Sequence, residues 1–308
     1  MTVRQSVNRR APSGFGRTPL EVIDGIPVFS PHDRYVENYT KIAADHVTSM
    51  EKSGQNPFIE ETLWQKLEDS TRVLVEKYVH GNGRVLDAGV GLGRLLAPIS
   101  RLQRYGIDIS YEYLQKARQS GFEVAFARIE DMPYEDGFFD AVVACDVLEH
   151  VIDLHRCCEQ LVRVLRPGGA LIIRVPYLDD MEAYLDEKLP YEFIHVRSFD
   201  VASLRILFGK IFEMRYQEHS FVAPYLKDNL FKIRLLSESS PAVRVAREAN
   251  DPDHPLWILR QATMVSREAF RKWIYDLRDQ KPVLLRELLP ELVEGLEVNI
   301  VFSKPTIA

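Results

Sequence analysis

The stretch RVLDAGVGLGRLL, residues 84–96, limits what this chain can fold into more than any other. An apolar run with β-branched character ends at Asp87, a second apolar run follows, and between them glycine occupies every second position: Gly89, Gly91 and Gly93. Glycine permits positive φ and a close approach of the backbone to a ligand. The pattern therefore predicts a buried strand followed by a ligand-binding loop.

Strand-like and helix-like segments alternate around this loop. RYGIDIS, EVAFARI, FFDAVVACDVL and ALIIRVPY have strand character, whereas LGRLLAPISRL, YEYLQKARQSG and LHRCCEQLVRVL have helical spacing. Alternation of this kind implies parallel strands joined by right-handed crossovers. Continuous apolar runs suit strands that are buried on both faces. We predict a doubly wound α/β sheet, in which ligands bind beyond the carboxyl ends of the strands.

Further elements are predicted on both sides of this core. LEVIDGIPVF has the pattern of a short hairpin with its turn at Asp24-Gly25, and two helices are expected over residues 33–50 and 59–79. SFDVASLRILFGKIF predicts a helix after the sheet, with a long helical insert before a last strand. The expected regions are an N-terminal arm and helical cap (1–80), the core (81–220), a mainly helical insert that caps the substrate (221–296), and a final strand and tail (297–308).

Composition narrows the class of protein. The 308 residues carry a net charge of −6, which argues against broad electrostatic binding to nucleic acid. The three cysteines give neither a disulfide framework nor a CxxC metal spacing, so a reducing compartment is expected. The first residues lack the apolar run of a signal peptide, and no stretch has the length of a membrane span. These observations predict a cytoplasmic protein.

The acid before the glycines favours one cofactor class over another. Dinucleotide sites use G-x-G-x-x-G, whereas this chain has G-x-G-x-G with Asp87 two residues ahead of it. A carboxylate repels a pyrophosphate and attracts a cation, and S-adenosylmethionine carries an ammonium and a sulfonium. Asp108 ends the second strand, where an acid accepts ribose hydroxyls of either cofactor. We therefore predict S-adenosylmethionine and disfavour a nicotinamide oxidoreductase.

Four segments together resemble a known family: VLDAGVGLGRLL, GIDIS, ARIEDMPYEDGFFDAVVACDVLEHV and LVRVLRPGGALIIRVP. In this order and spacing they are similar to class I S-adenosylmethionine-dependent methyltransferases of the type 11-like, small-molecule kind. The resemblance covers residues 83–212 and resumes weakly at the last strand. It implies a Rossmann-like sheet of seven strands with the last one antiparallel. It also implies these cofactor-binding residues: Asp87, Gly89, Val90, Gly91 and Gly93 at the methionine part, Asp108 at the ribose, Ile109 next to Asp108, Ile129 and Glu130 near the adenine, and Cys145 at the edge of the methyl site.

The chain departs from this family pattern at three positions. Val90 and Leu92 stand where the family often has Cys and Thr, and Arg128 stands where it usually has Asp. Two orientations of Arg128 are open: stacking on the adenine ring or pointing away from it. These departures also keep a non-catalytic, methyltransferase-like interaction subunit as an alternative function.

The segment CDVLEHVIDLH contains the candidates for activating an acceptor. Asp146, Glu149 and His150 are spaced i, i+3, i+4, so in a helical turn they share one face and offer ligands to a divalent metal. The segment resembles the E-x-x-E-H metal motif of ubiquinone-pathway O-methyltransferases and of small-RNA 2′-O-methyltransferases. Local hydrogen bonding by Glu149 and His150, without a metal, is the alternative. His195 is a candidate general base, a fourth ligand, or a structural histidine.

Taken together, these features predict an enzyme that methylates an oxygen of a small-molecule or sugar-type acceptor, with His195 and His150 as catalytic candidates. An RNA 2′-O-methyltransferase with a metal-assisted site is the alternative, and the acidic net charge speaks against it.

Overall fold

A computed structural model describes residues 14–179, 181–226, 241–254, 256–257, 267–286 and 293–306 of the chain. The chain divides into two compact units, Met1–Val222 with Glu297–Ala308, and Ala223–Leu296. The first unit contains the core of the sheet and the candidate active site. The expected flexible arm at the N-terminus falls largely on residues 1–13, which lie outside the described residues.

One mixed sheet organises the described residues. Its strands are β1 (Glu21–Ile23), β2 (Ile26–Val28), β3 (Arg84–Ala88), β4 (Gln103–Asp108), β5 (Glu123–Phe126), β6 (Phe139–Cys145), β7 (Leu165–Pro176), β8 (Arg215–Leu226) and β9 (Val293–Ser303). Their order across the sheet is β1-β2-β5-β4-β3-β6-β7-β9-β8. Strands β3 to β7 pair in parallel, whereas β9 is antiparallel to β7. The predicted doubly wound α/β class, with its antiparallel last strand, is confirmed.

The sheet has nine strands within the described residues, two more than the seven expected. The extra pair is the N-terminal hairpin, whose turn residues Asp24 and Gly25 both have positive φ. Strand β2 joins the edge of β5 in parallel, with Val28 opposite Phe126. The amide of Phe29 donates to the carbonyl of Phe126 at 2.8 Å. The hairpin therefore extends the sheet beyond the strands shared with the family.

The structure describes α-helices in both units. They are α1 (Arg34–Ser53), α2 (Glu61–Tyr78), α3 (Tyr111–Gln119), α4 (Leu154–Val164), α5 (Val201–Leu204), α6 (Pro241–Glu248) and α7 (Arg267–Gln280). Asp33 caps α1 by accepting from the amide of Val36, and Gly54 ends it with a φ of 70°. Asp200 caps α5 in a capping box with Ser203.

The helix predicted for LGRLLAPISRL is wrong. The segment forms a series of turns between β3 and β4, with isolated bonds such as Ile99 N to Leu96 O at 3.0 Å. Pro98 has no amide hydrogen and disfavours helical φ/ψ at the residue before it. The apolar residues are nevertheless buried, so periodicity identified the buried face and not the backbone conformation.

The core lies on both faces of the sheet. Neighbouring residues of one strand belong to different apolar clusters: Val142 and Ile173 pack in one, and Val143 and Ile172 pack in the other. Since side chains alternate across a strand, each central strand is buried above and below. This burial explains the continuous apolar runs of β6 and β7.

The second unit has a small apolar cluster of its own. Val243 and Ala246 of α6, Leu256, and Leu277 of α7 are buried together. Much of the insert predicted at 221–296 lies outside the described residues, and its role as a substrate cap stays a prediction. In the part of the chain that the structure describes, no helix is both long enough and apolar enough to cross a membrane.

We expect Phe302→Ala to lower the free energy of unfolding by about 3–5 kcal/mol, because it leaves a cavity where β9 packs on the core. Phe302 is fully buried and its ring centroid lies 5.3 Å from that of Phe208. Urea denaturation followed by fluorescence measures the change. Phe58→Ala is the matched control, since the Phe58 side chain is 52% exposed. Equal losses in the two variants would contradict the burial of β9.

Candidate active site

The glycine loop leaves the sheet at the carboxyl end of β3. The amides of Gly89 and Val90 both donate to the carbonyl of Ile107 in β4, at 2.9 and 3.0 Å. Gly89 has a φ of 83°, and a Cβ there would lie 2.5 Å from the Cγ2 atom of Val147. Close packing against the loop that follows β6 therefore requires glycine at this position.

Asp108, the last residue of β4, holds the loop in place. Its Oδ2 atom accepts from the amide of Gly91 at 3.0 Å, and its Oδ1 atom accepts from the amides of Ile109 and Ser110 at 2.8 and 3.0 Å. Burial raises the pKa of the carboxyl to about 6, although these three donors lower it. Each carboxylate oxygen has two lone pairs, so Oδ2 keeps one for a further donor.

Asp87 lies at the end of β3 and is 3% exposed. Burial raises the pKa of its carboxyl to about 8; Arg174 lowers this pKa, and the nearby acids Glu68 and Asp108 raise it. A buried carboxylate beside other carboxylates is stabilised by a cation. The loop after β3 therefore lies beside buried carboxyl groups whose ionisation a cation would favour.

A buried arginine collects several polar groups behind this loop. Arg174 of β7 is 3% exposed, and its Nη2 atom lies 2.5 Å from Oδ2 of Asp146. Its Nε atom lies 2.7 Å from Oε2 of Glu297, and Nη1 donates to Oγ1 of Thr71 at 3.1 Å. Buried charges require such partners. Arg174 thus joins β7, β9, α2 and the loop after β6.

The helical turn predicted for Asp146, Glu149 and His150 is wrong. Asp146 has a φ of 54°, which is left-handed, and the residues after it form a turn. Its carboxylate is held by Arg174, so the structure does not place it with the other two predicted metal ligands. Helical spacing fails here because the backbone reverses its twist at the first residue of the pattern.

His195 takes the place that was predicted for Asp146. Glu149, His150 and His195 each offer a ligand atom within 4.8 Å of the others, the one such group of three within the described residues. Glu149 is 1% exposed, and neither of its carboxylate oxygens has a hydrogen-bond partner there. Burial, reinforced by Asp146, raises the pKa of Glu149 well above its ordinary value. This carboxylate is therefore buried beside two imidazoles without a donor.

The two imidazoles are held through the same ring atom. Nδ1 of His150 lies 2.8 Å from the carbonyl oxygen of Ile194, and Nδ1 of His195 lies 2.5 Å from Oδ2 of Asp179. Both partners accept hydrogen bonds, so each Nδ1 carries the proton and Nε2 keeps its lone pair. Burial and the neighbouring His195 lower the pKa of His150 to about 4, which keeps that ring neutral at pH 7.

The predicted adenine segment is bonded to helix α1. Ile129 and Glu130 lie in a short 3₁₀ turn, Ile129–Asp131. Nη2 of Arg128 lies 2.5 and 2.6 Å from the two carboxylate oxygens of Asp33, and its guanidinium lies 5.0 Å from the ring centroid of Tyr35. The Arg128 side chain is thus directed at the N-terminus of α1.

Helix α1 is also tied to residues 190–195. Its hydrogen bonds to this segment run from Tyr39 Oη to Phe193 O (2.7 Å), from Lys41 Nζ to Pro190 O (3.1 Å), from Glu192 N to Asn38 Oδ1 (2.9 Å) and from Tyr191 Oη to Asp45 Oδ2 (2.9 Å). The ring of Tyr39 meets that of His150 edge-on at 5.7 Å. The helix therefore packs against the imidazole cluster as well as the predicted adenine segment.

Cys145 ends β6, where the edge of the methyl site was predicted. Its thiol lies 3.9 Å from Oγ1 of Thr71, and burial raises the pKa of the thiol. A protonated thiol packs as a small, weakly polar side chain.

Sequence reasoning missed Asp179, Arg174 and the α1 contacts. Arg174 could have been found from the sequence, since a cation inside the apolar run LIIRVP requires buried partners. Asp179 could not, because it lies in a polar connection and meets His195 only through the tertiary fold.

Comparison with known proteins places the chain in a family. Residues 86–173 match the family model of a methyltransferase domain. An O-methyltransferase of Aspergillus nomiae is 31% identical over 159 residues, which are 46% of this chain and 70% of that relative. A tRNA (carboxymethyluridine(34)-5-O)-methyltransferase of Arabidopsis thaliana is 36% identical over 94 residues, which are 30% of this chain and 23% of the relative. The chain belongs to the class I S-adenosylmethionine-dependent methyltransferases.

A solved structure agrees with the fold of this methyltransferase. Geranyl diphosphate C-methyltransferase from Streptomyces coelicolor aligns with a TM-score of 0.51 at 13% identity, covering 89% of this chain and 100% of that one. At this identity the likeness shows the fold alone. The predicted family is confirmed by the family matches, and S-adenosylmethionine is the cofactor by which that family is defined.

The chain spans only part of the length of several relatives that it matches, from 23% to 60%. The roles of individual residues toward the cofactor stay predictions.

We expect the affinity for S-adenosylhomocysteine to fall as pH drops below about 6. The Asp108 carboxyl, whose pKa burial raises to about 6, then gains a proton and becomes a poorer acceptor for ribose hydroxyls. Isothermal titration at pH 5, 6 and 7.5 measures this dependence. Asp108→Asn is expected to bind more weakly at pH 7.5 and to show a flatter profile. An unchanged profile in this variant would count against the ribose assignment.

We expect Asp87→Asn to stabilise the protein without cofactor and to weaken S-adenosylmethionine binding. The pKa of Asp87 is raised to about 8, so the carboxyl contributes stability below its ordinary pKa, and that contribution is lost as pH rises through about 8. At pH 8.5 the melting temperature should rise by about 2 °C or more, and affinity should fall roughly tenfold, as the loss of one favourable charge contact implies. The exposed Asp253→Asn is the matched control. A fall in melting temperature would refute the electrostatic cost at Asp87.

Proposed function

We propose that this methyltransferase transfers the methyl group of S-adenosylmethionine to a hydroxyl oxygen of a small-molecule acceptor. The observation that carries the proposal is the cluster of Glu149, His150 and His195, in which a buried carboxylate meets two imidazoles fixed through Nδ1. The cluster follows β6, beyond the carboxyl ends of the strands, where ligands of such sheets bind.

A hydroxyl acceptor requires activation that a stronger nucleophile does not require. Methyl transfer is an in-line displacement, so positioning and exclusion of water supply much of the rate enhancement. An alcohol or phenol must also lose its proton, which requires a base or a Lewis acid. Nε2 of His195 takes this proton, Asp179 stabilises the resulting imidazolium, and the ring of His150 packs 4.7 Å from that of His195.

The same three side chains fit a divalent metal ion. Two imidazole nitrogens and one carboxylate form a donor set that first-row divalent metals accept, and the Glu149 carboxylate lacks another partner among the described residues. The hydrogen bonds at both Nδ1 atoms have the form that orients metal-ligating histidines. When bound, an ion supplies Lewis-acid activation of the acceptor hydroxyl, and Nε2 of His195 then serves as a ligand instead of a base.

The cofactor is proposed to lie along the loop after β3. Asp87 faces its cationic methionine end with Gly89, Val90, Gly91 and Gly93. The lone pair left on Asp108 accepts from a ribose hydroxyl next to Ile109. The remaining proposed contacts are Ile129 and Glu130 at the adenine and Cys145 beside the methyl group. The departure at Arg128 is compatible with binding, since its guanidinium is engaged by Asp33.

A small acceptor is favoured over RNA by charge. The net charge of −6 gives no general attraction to a phosphate backbone. The Arabidopsis tRNA methyltransferase is matched over 23% of its length, so its named substrate does not transfer with the match. The insert at 221–296 is proposed to contribute to acceptor binding.

A panel of phenols, catechols, sugars and hydroxy acids, assayed by release of S-adenosylhomocysteine, tests the proposal. His195→Ala should lower kcat by roughly 100-fold or more, as loss of a general base does, and should leave cofactor affinity within about twofold. His155→Ala, on the exposed face of α4, is the matched control.

A chelator distinguishes the two ways of activating the hydroxyl. Activity that EDTA abolishes and Mn²⁺ or Mg²⁺ restores assigns His195 as a ligand, and EDTA-insensitive activity assigns it as the base. Full activity of His195→Ala, or methylation of tRNA alone, would overturn the proposed function.

A further inference from the structure

We propose that Asp179 is a positioning residue that keeps the proton of His195 on Nδ1 and so reserves the Nε2 lone pair for the acceptor side of the site. The inference rests on the proposed function, and it concerns a residue that no sequence motif marks. It assigns to Asp179 a role exerted through His195, without contact with the acceptor or the cofactor.

The carboxylate oxygen of Asp179 that contacts His195 also contacts Tyr184. Oδ2 of Asp179 lies 2.5 Å from Nδ1 of His195 and accepts from the hydroxyl of Tyr184 at 2.9 Å. The side chains of His195 and Asp179 are 16% and 24% exposed, so water competes little with the bond. An ionised carboxylate only accepts hydrogen bonds, so Nδ1 must donate, and a neutral ring then has its lone pair on Nε2.

The aromatic ring of Tyr184 fixes the orientation of the imidazole as well. Its centroid lies 4.6 Å from that of His195, on a tilted ring pair. Tyr184 therefore contacts both members of the Asp179–His195 pair, one through its hydroxyl and one through its ring. This gives a carboxylate with a defined position and an imidazole with a defined plane.

The backbone that carries Asp179 is tied to the segment after His195. Tyr177 forms a parallel bridge with Phe199, and the amide of Leu178 donates to the carbonyl of Phe199 at 2.8 Å. Tyr177 and Leu178, the two residues before Asp179, thus pair with Phe199, which lies four residues after His195. The chain holds the carboxylate and the imidazole on neighbouring, paired segments, so their meeting is built into the backbone.

His150 shows why a fixed tautomer matters in this cluster. Its Nδ1 atom is fixed by the carbonyl oxygen of Ile194, a group that also only accepts. The two imidazoles are therefore set to the same tautomer by two different acceptors. A backbone carbonyl cannot be removed by mutation, whereas the acceptor for His195 is a side chain, which makes the inference testable.

Asp179→Ala is the decisive substitution, because it removes the acceptor that holds the proton on Nδ1. The proton of His195 should then move to Nε2. Long-range ¹H–¹⁵N spectra at pH 8, above the ordinary pKa of imidazole, report the tautomer directly. We expect the His195 resonances to change from the Nδ1–H to the Nε2–H pattern, and kcat to fall by roughly 10- to 100-fold, as for other residues that orient an acting histidine.

Three further variants separate positioning from simple stabilisation. Asp179→Glu keeps an acceptor and should retain the Nδ1–H pattern with partial activity. Tyr184→Phe removes the hydroxyl but leaves the carboxylate, so the tautomer should be unchanged and kcat should stay within about threefold, the cost of one hydrogen bond. Asp45→Ala is the matched control, since Asp45 accepts from the Tyr191 hydroxyl and not from a histidine.

The spectra need no acceptor, so they distinguish failure of this inference from failure of the proposed function. An Nδ1–H pattern that persists in Asp179→Ala, or an altered tautomer with unaltered kcat, would overturn the positioning role. An altered tautomer in a protein that methylates no hydroxyl compound would leave the assignment of Asp179 standing and overturn the proposed function.

Discussion

The candidate site depends first on the contacts that the buried guanidinium of Arg174 makes. This guanidinium joins Asp146 after β6, Glu297 on β9 and Thr71 on α2 to the centre of the sheet. A buried cation without partners would cost several kcal/mol, so this set of acceptors is required once the arginine is present. Its partner Asp146 has a left-handed backbone conformation, and Glu149 and His150 follow three and four residues later in the chain.

Two buried carboxyl groups lie beside the loop after β3, and burial makes both of them costly to ionise. Asp87 and Asp108 are carboxyls whose pKa values burial raises to about 8 and about 6. Ionising these groups disfavours the protein without ligand. The proposed cofactor S-adenosylmethionine, which carries positive charge and hydroxyl donors, would offset this cost.

The sequence pattern predicts the strands and the loop after β3, whereas tertiary contacts bring together the residues of the candidate site. The parallel strands, the loop after β3 and the position of Asp108 follow from periodicity and the rules for α/β sheets. Asp146 was predicted as a metal ligand because helical spacing was assumed from Asp146 to His150. The positive φ of Asp146 breaks that spacing. His195 and Asp179 lie in an irregular connection, and they meet because residues 177 and 178 pair with Phe199, which no local signal marks.

Three consecutive residues, Ile194, His195 and Val196, supply separate parts of the cluster. The carbonyl of Ile194 bonds His150, the ring of His195 joins the group, and the amide of Val196 donates to the backbone carbonyl of Glu149 at 2.9 Å. A displacement of this short segment removes all three contributions together. The cluster therefore forms or is lost as a unit. The fraction of molecules in which it is formed depends on the local stability of residues 194–196.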